Sequence, residues 1–238
     1  MEAIDARLVA LERHFEATPL FDVIDHAERY NRYLLEQVLA FAGPARTVLD
    51  FGAGSGRLAR SLRSHGLDVT CVEPDPELRA RLTEGALPSV SDIGDLGERR
   101  FDYAVSLNVL EHCADDVRVA QDLHRHLAPG GRCLIYVPAF PLLWTANDTA
   151  VGHQRRYRRS ELLQLFRDAG FAVDDVRYVD SLGLLATLAF RLVGRADGQI
   201  TTASVRLYDR LLFPASLLLD RAFHRLAGKN LLLRARRR

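Results

Sequence analysis

The middle of the chain alternates short apolar runs with amphipathic stretches. Five short, mostly apolar runs predict buried strands near 46–51, 68–73, 88–91, 102–107 and 131–137. Stretches with apolar residues at helical spacing lie between them, near 56–65, 76–84 and 114–127. Such alternation predicts an α/β fold, with right-handed crossovers and a mostly parallel sheet covered by helices on both faces.

The same periodicities extend the pattern toward both ends. Apolar positions from Val23 to Val38 predict helices over 1–43, which Gly43-Pro44 ends before the first strand. A helix over 160–170 and a strand over 171–178 follow the core, and a last strand covers 230–236. We therefore expect one domain over 1–238. Its parts are N-terminal helices (1–43), a ligand-binding core (44–180), a helical insertion (181–229) and the last strand (230–238).

The insertion contains two apolar helical stretches, over 182–194 and 204–226. The first is too short to span a bilayer and ends in arginine, so we predict no transmembrane segment. Three interpretations stay open: helices that pack on the sheet or in a homodimer interface, a lid over the substrate, or a peripheral surface that meets lipid or a lipid-linked acceptor.

Composition narrows the class of protein. The 238 residues are 48% hydrophobic and 26% charged, as in ordinary globular proteins, and the net charge of +1 gives no footprint for nucleic acid. The start of the chain lacks a signal-peptide pattern. Cys71, Cys113 and Cys133 are widely spaced, matching neither a disulfide framework nor a zinc site. We expect a cytoplasmic protein.

The most informative stretch is Val48-Leu49-Asp50-Phe51-Gly52-Ala53-Gly54-Ser55-Gly56. A buried strand ends in an acid, and a glycine-rich turn leads into a helix, which is where open α/β sheets bind nucleotides. The spacing is G-x-G-x-G, and Arg57 follows it. This breaks the G-x-G-x-x-G pattern of nicotinamide-dependent dehydrogenases and argues against that class.

Four ordered segments resemble the class I S-adenosylmethionine-dependent methyltransferases. They are LDFGAGSG, the acid Glu73 after the second strand, SLNVLEH (106–112) and LAPGG (127–131). The segment Gly152-His153-Gln154-Arg155-Arg156-Tyr157 is similar to the GH-x-RRY segment of many bacterial small-molecule members. The resemblance implies a Rossmann-like, doubly wound sheet of seven strands in the order 3-2-1-4-5-7-6, with strand 7 antiparallel. It also implies S-adenosyl-L-methionine as cofactor.

The positions that match this family suggest roles in holding the cofactor. Asp50 and the loop residues Gly52, Ala53, Gly54 and Gly56 would hold its amino-acid end. Glu73, followed by Pro74, would accept from the ribose hydroxyls, and Asp92 would contact the adenine amine, with Asp95 as competitor. The sulfonium would lie beside the residues after the fourth strand, which are Asn108, Val109 and Leu110.

The acceptor side is less defined. His112, an imidazole of near-neutral pKa past the fourth strand, is a candidate general base, and a histidine that only positions the loop is the competing interpretation. Glu111 is expected to be structural. The acceptor-pocket candidates are Trp144, Asp148, His153, Arg156 and Tyr157. The arginines at 155, 156, 158 and 159 either neutralise an anionic acceptor or form a solvated turn with one internal ion pair.

These residues predict in-line, metal-independent methyl transfer to a small-molecule or lipid-linked acceptor. No cluster has zinc-ligand spacing, and Leu107-Asn108-Val109-Leu110 lacks the tetrapeptide expected of a DNA base methyltransferase. The alternative is a member that binds S-adenosylmethionine for other chemistry or for regulation.

Overall fold

Seven strands form one sheet in the order β3-β2-β1-β4-β5-β7-β6 in the computed structural model, which describes residues 26–193 and 201–238. The strands are β1 (Thr47–Phe51), β2 (Asp68–Val72), β3 (Ser89–Val90), β4 (Phe101–Leu107), β5 (Leu127–Pro138), β6 (Phe171–Val179) and β7 (Asn230–Arg237). Strands β1 to β5 pair in parallel, and β7 runs antiparallel to β5 and β6. The predicted fold class and strand order are confirmed.

Helices connect the strands and cover the sheet. They are α1 (Glu28–Ala42), α2 (Arg57–Ser64), α3 (Pro76–Glu84), α4 (Asp116–Arg125), α5 (Ala146–Ala150), α6 (Arg159–Asp168), α7 (Ser181–Val193), α8 (Thr202–Leu207) and α9 (Phe213–Phe223). A π-helical turn, Tyr208–Leu212, joins α8 to α9, and a 3₁₀ turn, Leu110–His112, follows β4. The parts of the predicted helices that fall in 1–25 and at 194 lie outside the described residues. None of the described helices is long and apolar enough to cross a membrane.

The sheet is buried on both faces because helices pack on each side. Adjacent residues of β1, Val48 and Leu49, point to opposite faces, and both are fully buried. Strand β5 begins earlier than predicted, at Leu127, because the LAPGG turn pairs with the start of β4 across a register shift between Phe101 and Tyr103.

The carboxyl edge of the sheet is where the backbone is most constrained. Within the described part of the chain, four non-glycine residues have positive φ, and three of them follow strand ends there: Asn108 (56°), Phe140 (57°) and Asp180 (69°). Left-handed backbone is unfavourable for residues other than glycine and often marks functional sites. The glycine loop after β1 lies at this same edge.

Candidate active site

The glycine loop is shaped by three left-handed residues, Gly52, Gly54 and Gly56, with φ of 79°, 54° and 77°. A Cβ on Gly52 would lie 2.3 Å from Cγ2 of Val109, and one on Gly56 would lie 2.4 Å from Cδ2 of Leu82. Gly52 therefore permits the turn after β4 to approach the loop, and Gly56 permits α2 to pack against α3.

Glu73 connects the loop to the end of β2. Its Oε2 accepts a hydrogen bond from the Gly54 N–H at 2.7 Å, and its Oε1 accepts one from the Asp75 N–H at 3.0 Å. Burial raises the pKa of Glu73, and these two hydrogen bonds oppose the rise. Glu73 thus has a structural role that sequence reasoning did not anticipate, beside its predicted role on the ribose.

Asp50 lies beneath the loop and is 2% exposed. Its Oδ2 is buried without a hydrogen-bond partner among the described residues. Burial, with the nearby charge of Glu73, raises the pKa of Asp50 to about 7. A buried carboxylate oxygen that lacks a partner fits the ammonium end of S-adenosylmethionine, which would supply a charged donor.

Asp92, the residue predicted to contact the adenine, is exposed, and its carboxylate accepts a hydrogen bond within a turn. Asp92 Oδ1 accepts from the Gly94 N–H at 2.7 Å and caps the 3₁₀ turn Ile93–Leu96. Its competitor Asp95 accepts from the Ser91 hydroxyl at 2.7 Å. The Pro74 carbonyl accepts from Arg79 at 3.0 Å. The ligand roles of Asp92 and Pro74 remain predictions.

The residues after β4 divide between the site and the core. Asn108 is exposed, with its amide nitrogen 3.5 Å from the Tyr30 hydroxyl, and the Val109 side chain lies over Gly52. Leu110 is fully buried in the main core, and its carbonyl accepts from the Tyr157 hydroxyl at 3.2 Å. The prediction that Leu110 lines the cofactor is therefore corrected: its side chain stabilises the core.

The GH-x-RRY segment clamps the turn Leu110–His112. The Gln154 N–H donates to the Glu111 carbonyl at 2.7 Å. The Tyr157 hydroxyl donates to Asp116 Oδ2 at 2.8 Å, and Arg155 pairs with Asp116 Oδ1 at 2.7 Å. These contacts hold two segments together that are far apart in the sequence.

Three predicted acceptor-pocket residues are internal. Arg156 donates to both carboxylate oxygens of Asp148, at 2.8 and 2.9 Å, and the two residues are 8% and 1% exposed. Although burial raises it, the pKa of Asp148 is held below its usual range by hydrogen bonds from His153 and Arg156. Tyr157 is 4% exposed and already bonded. Asp148, Arg156 and Tyr157 are therefore corrected to structural residues, and the internal-ion-pair interpretation of the arginines holds.

The clamp brings Glu111, His112 and His153 together at the carboxyl edge. The two imidazole rings have centroids 4.7 Å apart, and His153 Nε2 lies 3.9 Å from Glu111 Oε1. Burial raises the pKa of Glu111 to about 8, while burial and the neighbouring His153 lower the pKa of His112 to about 4. The near-neutral pKa expected for His112 is wrong. Trp144, half-buried, has its ring 6.5 Å from His153 and remains an acceptor-side candidate.

The cluster has no ligand spacing along the chain by which the sequence could reveal it. Glu111 and His112 are adjacent, but His153 reaches them only through the folded clamp. The available signal was the presence of a histidine in each of two motifs, LEH and GH-x-RRY.

Comparisons with known proteins agree with this geometry. Residues 24–176 match the family described as a methyltransferase domain. A probable S-adenosylmethionine-dependent methyltransferase of Mycolicibacterium smegmatis is 31% identical over 188 residues, covering 71% of this chain and 67% of that protein. An uncharacterised methyltransferase of Mycobacterium tuberculosis is 35% identical over 115 residues, 47% of this chain and 44% of that protein. The chain thus spans under half the length of this last relative.

Solved structures share the fold. An S-adenosylmethionine-dependent methyltransferase of Thermotoga maritima has a TM-score of 0.63 at 15% identity, covering 94% of this chain and 96% of that one. The sheet order and the glycine loop define a Rossmann-like methyltransferase domain. With the family match, the chain belongs to the class I S-adenosylmethionine-dependent methyltransferases, and S-adenosylmethionine is its cofactor.

Proposed function

We propose that this chain transfers the methyl group of S-adenosylmethionine to a lipid-linked acceptor presented at a membrane surface. The cofactor supplies an activated methyl on a positively charged sulfur. Asp50 would hold its ammonium, Glu73 its ribose, and Asn108 with Val109 the surroundings of its sulfonium. In-line transfer from such a donor needs chiefly alignment of the acceptor and exclusion of water.

The observation that supports a lipid-linked acceptor is the location of the exposed hydrophobic side chains. Ten large hydrophobic side chains are exposed among residues 26–189 and 201–238, and eight of them lie between 185 and 226. They are Leu185, Leu207, Leu211, Leu212, Leu218, Leu219, Phe223 and Leu226. Clustering of exposed apolar side chains in one segment favours an interaction surface over chance exposure.

The charges on helices α8 and α9 and their connecting turn complement anionic lipid. The segment 202–226 contains two acidic residues, Asp209 and Asp220, and both are buried. Its four arginines, at 206, 210, 221 and 225, are exposed. Exposed leucines interspersed with arginines are typical of a helix that lies at the membrane interface.

This surface is connected to the donor site through α1. Asp209 accepts from the N–H groups of Arg29 and Tyr30, at 2.9 and 2.8 Å, and so caps the start of α1. Phe213 packs edge-on against Tyr30, with ring centroids 5.4 Å apart. Since Tyr30 reaches Asn108, an acceptor held at the membrane would arrive close to the predicted methyl site.

The test is to incubate the protein with methyl-labelled S-adenosylmethionine and either a lipid extract or an aqueous extract of cells. We expect label in a lipid-soluble product, identified by its added mass. Label confined to water-soluble products would contradict a lipid-linked acceptor but leave methyl transfer intact. Cofactor binding without any labelled product would favour the non-methyltransfer alternative.

A further inference from the structure

The cluster of Glu111, His112 and His153 has the composition and placement of a metal site. Each residue offers one ligand atom, and the three atoms lie within 4.8 Å of one another. Glu111 and His112 are fixed by the 3₁₀ turn after β4, and His153 is fixed by the clamp between Gln154 and the Glu111 carbonyl. The donors therefore come from a rigid part of the fold.

His153 is oriented by a carboxylate. Its Nδ1 lies 2.8 Å from Asp148 Oδ1, and Arg156 holds Asp148 in place through two hydrogen bonds. This arrangement directs Nε2 of His153 toward Glu111. A carboxylate on the far nitrogen of an imidazole is the usual support of a metal-binding histidine.

Glu111 presents an oxygen with nothing to accept from. The residue is 1% exposed, and its Oε2 is buried without a hydrogen-bond partner among the described residues. Burying a carboxylate oxygen without a donor is costly unless a cation or a proton lies against it. The orphaned oxygen is thus a second observation, independent of the histidines, that points to a ligand.

We propose that Glu111, His112 and His153 bind a divalent transition-metal ion. Two imidazoles and one carboxylate suit Zn²⁺, and three protein ligands leave a coordination position open. At metal–ligand distances of about 2.0–2.2 Å the ligand atoms would be roughly 3.4 Å apart, so the side chains must close by about an ångström. In this proposal His112 is a metal ligand and not the general base predicted from the sequence. The proposal depends only on these three residues and not on the identity of the acceptor.

The experiment is calorimetric titration of the chelator-treated full chain with Zn²⁺. We expect one ion bound per chain, with stoichiometric binding lost in Glu111→Gln and in His153→Ala. Asp148→Asn, which removes the carboxylate charge that supports His153, should weaken binding by about 10–100-fold. His65→Gln, which changes an exposed histidine outside the cluster, is the matched control and should bind as the wild type does.

A measurement on the unaltered protein covers the case in which the variants fail to fold. With Co²⁺ in place of Zn²⁺, we expect paramagnetically shifted imidazole N–H resonances from two histidines. Absence of stoichiometric Zn²⁺ binding by the wild type, unchanged binding by Glu111→Gln and His153→Ala, or absence of shifted imidazole resonances would each overturn the proposal.

Discussion

Individual side chains at the proposed donor site have structural roles beside the ligand-binding roles predicted for them. Glu73 accepts from the Gly54 and Asp75 backbone, so the residue predicted to hold the ribose also holds the loop around it. Asp50 has the opposite character. Its buried Oδ2 gains no hydrogen bond from the described protein, so burying the ionised group costs free energy that a bound cation or a proton would offset.

The pKa of Asp50 predicts pH-dependent cofactor affinity. The contact proposed between Asp50 and the ammonium of S-adenosylmethionine needs the ionised carboxylate, and the pKa of Asp50 is raised to about 7 by burial and by Glu73. Cofactor affinity should therefore fall as pH drops below about 7, by up to about tenfold per pH unit. Titration calorimetry across this range measures the effect, and Asp50→Asn should bind weakly at every pH.

The Asp50 carboxyl also predicts that the free energy of unfolding changes with pH in the opposite direction to cofactor affinity. Because the pKa of Asp50 is higher in the folded chain than in the unfolded chain, its contribution to stability is fully present below the unfolded pKa. It is lost as pH rises through about 7. In the absence of cofactor, Asp50→Asn should thus have the higher free energy of unfolding at alkaline pH. Asp68→Asn, an exposed carboxylate at the start of β2, is the control and should show neither effect. Equal stability of Asp50→Asn and wild type above neutral pH would contradict the burial argument.

Among the elements, the GH-x-RRY segment is the clamp that holds the turn after β4 against the segment after β5. Its hydrogen bonds go to the Glu111 carbonyl, the Leu110 carbonyl and Asp116. The buried ion pair of Asp148 and Arg156 lies within this clamp and supports His153. The segment therefore positions the acceptor-side cluster from within the fold.

This role predicts a large stability loss when Arg156 is replaced. Arg156→Gln leaves the Asp148 carboxylate buried without its cationic partner, which typically costs about 3–5 kcal/mol. The free energy of unfolding from denaturant titration should fall on that scale. Arg158→Gln removes an exposed ion pair with Glu161 and should change it by less than about 1 kcal/mol. If both variants lowered the free energy of unfolding by similarly small amounts, Arg156 would not stabilise the fold as argued.

For the whole molecule, the distribution of exposed leucines and arginines predicts binding to anionic vesicles. Leu211→Gln combined with Leu218→Gln should reduce the partition coefficient by at least about tenfold, because burying each leucine contributes about 1.5–3 kcal/mol. Val117→Gln, an exposed apolar residue outside the segment, is the control. Vesicle co-sedimentation measures the partition. It should also weaken as salt rises, since the Debye length falls from about 10 Å at 0.1 M to about 3 Å at 1 M.

Two outcomes separate the membrane from the other interpretations of this segment. If the wild-type protein did not co-sediment with anionic vesicles, the proposal that this segment binds a membrane would be contradicted. A dimer that the double leucine variant converts to a monomer, measured by light scattering, would instead assign these leucines to an interface between two copies of the chain.

Features that depend on the local spacing of residues could be predicted from the sequence. Runs of apolar residues, glycines that need left-handed backbone and acids at strand ends are each set within a few residues, so the strands and the donor loop could be predicted from them. The strand order and the cofactor followed from the resemblance that four such motifs carry in a fixed order, and the sheet and the family match agree.

Contacts between residues that are far apart in the sequence could not be predicted and are seen only in the folded chain. Asp148, Arg156 and Tyr157 have the composition of a ligand pocket, and only their partners show that they are internal. His153 meets Glu111 and His112 because the chain after β5 folds back onto the turn after β4. The hydrophobic pattern fixes which face of a helix or strand is buried, but it does not specify which polar side chains meet. That is set by how the segments after neighbouring strands pack at one edge of the sheet.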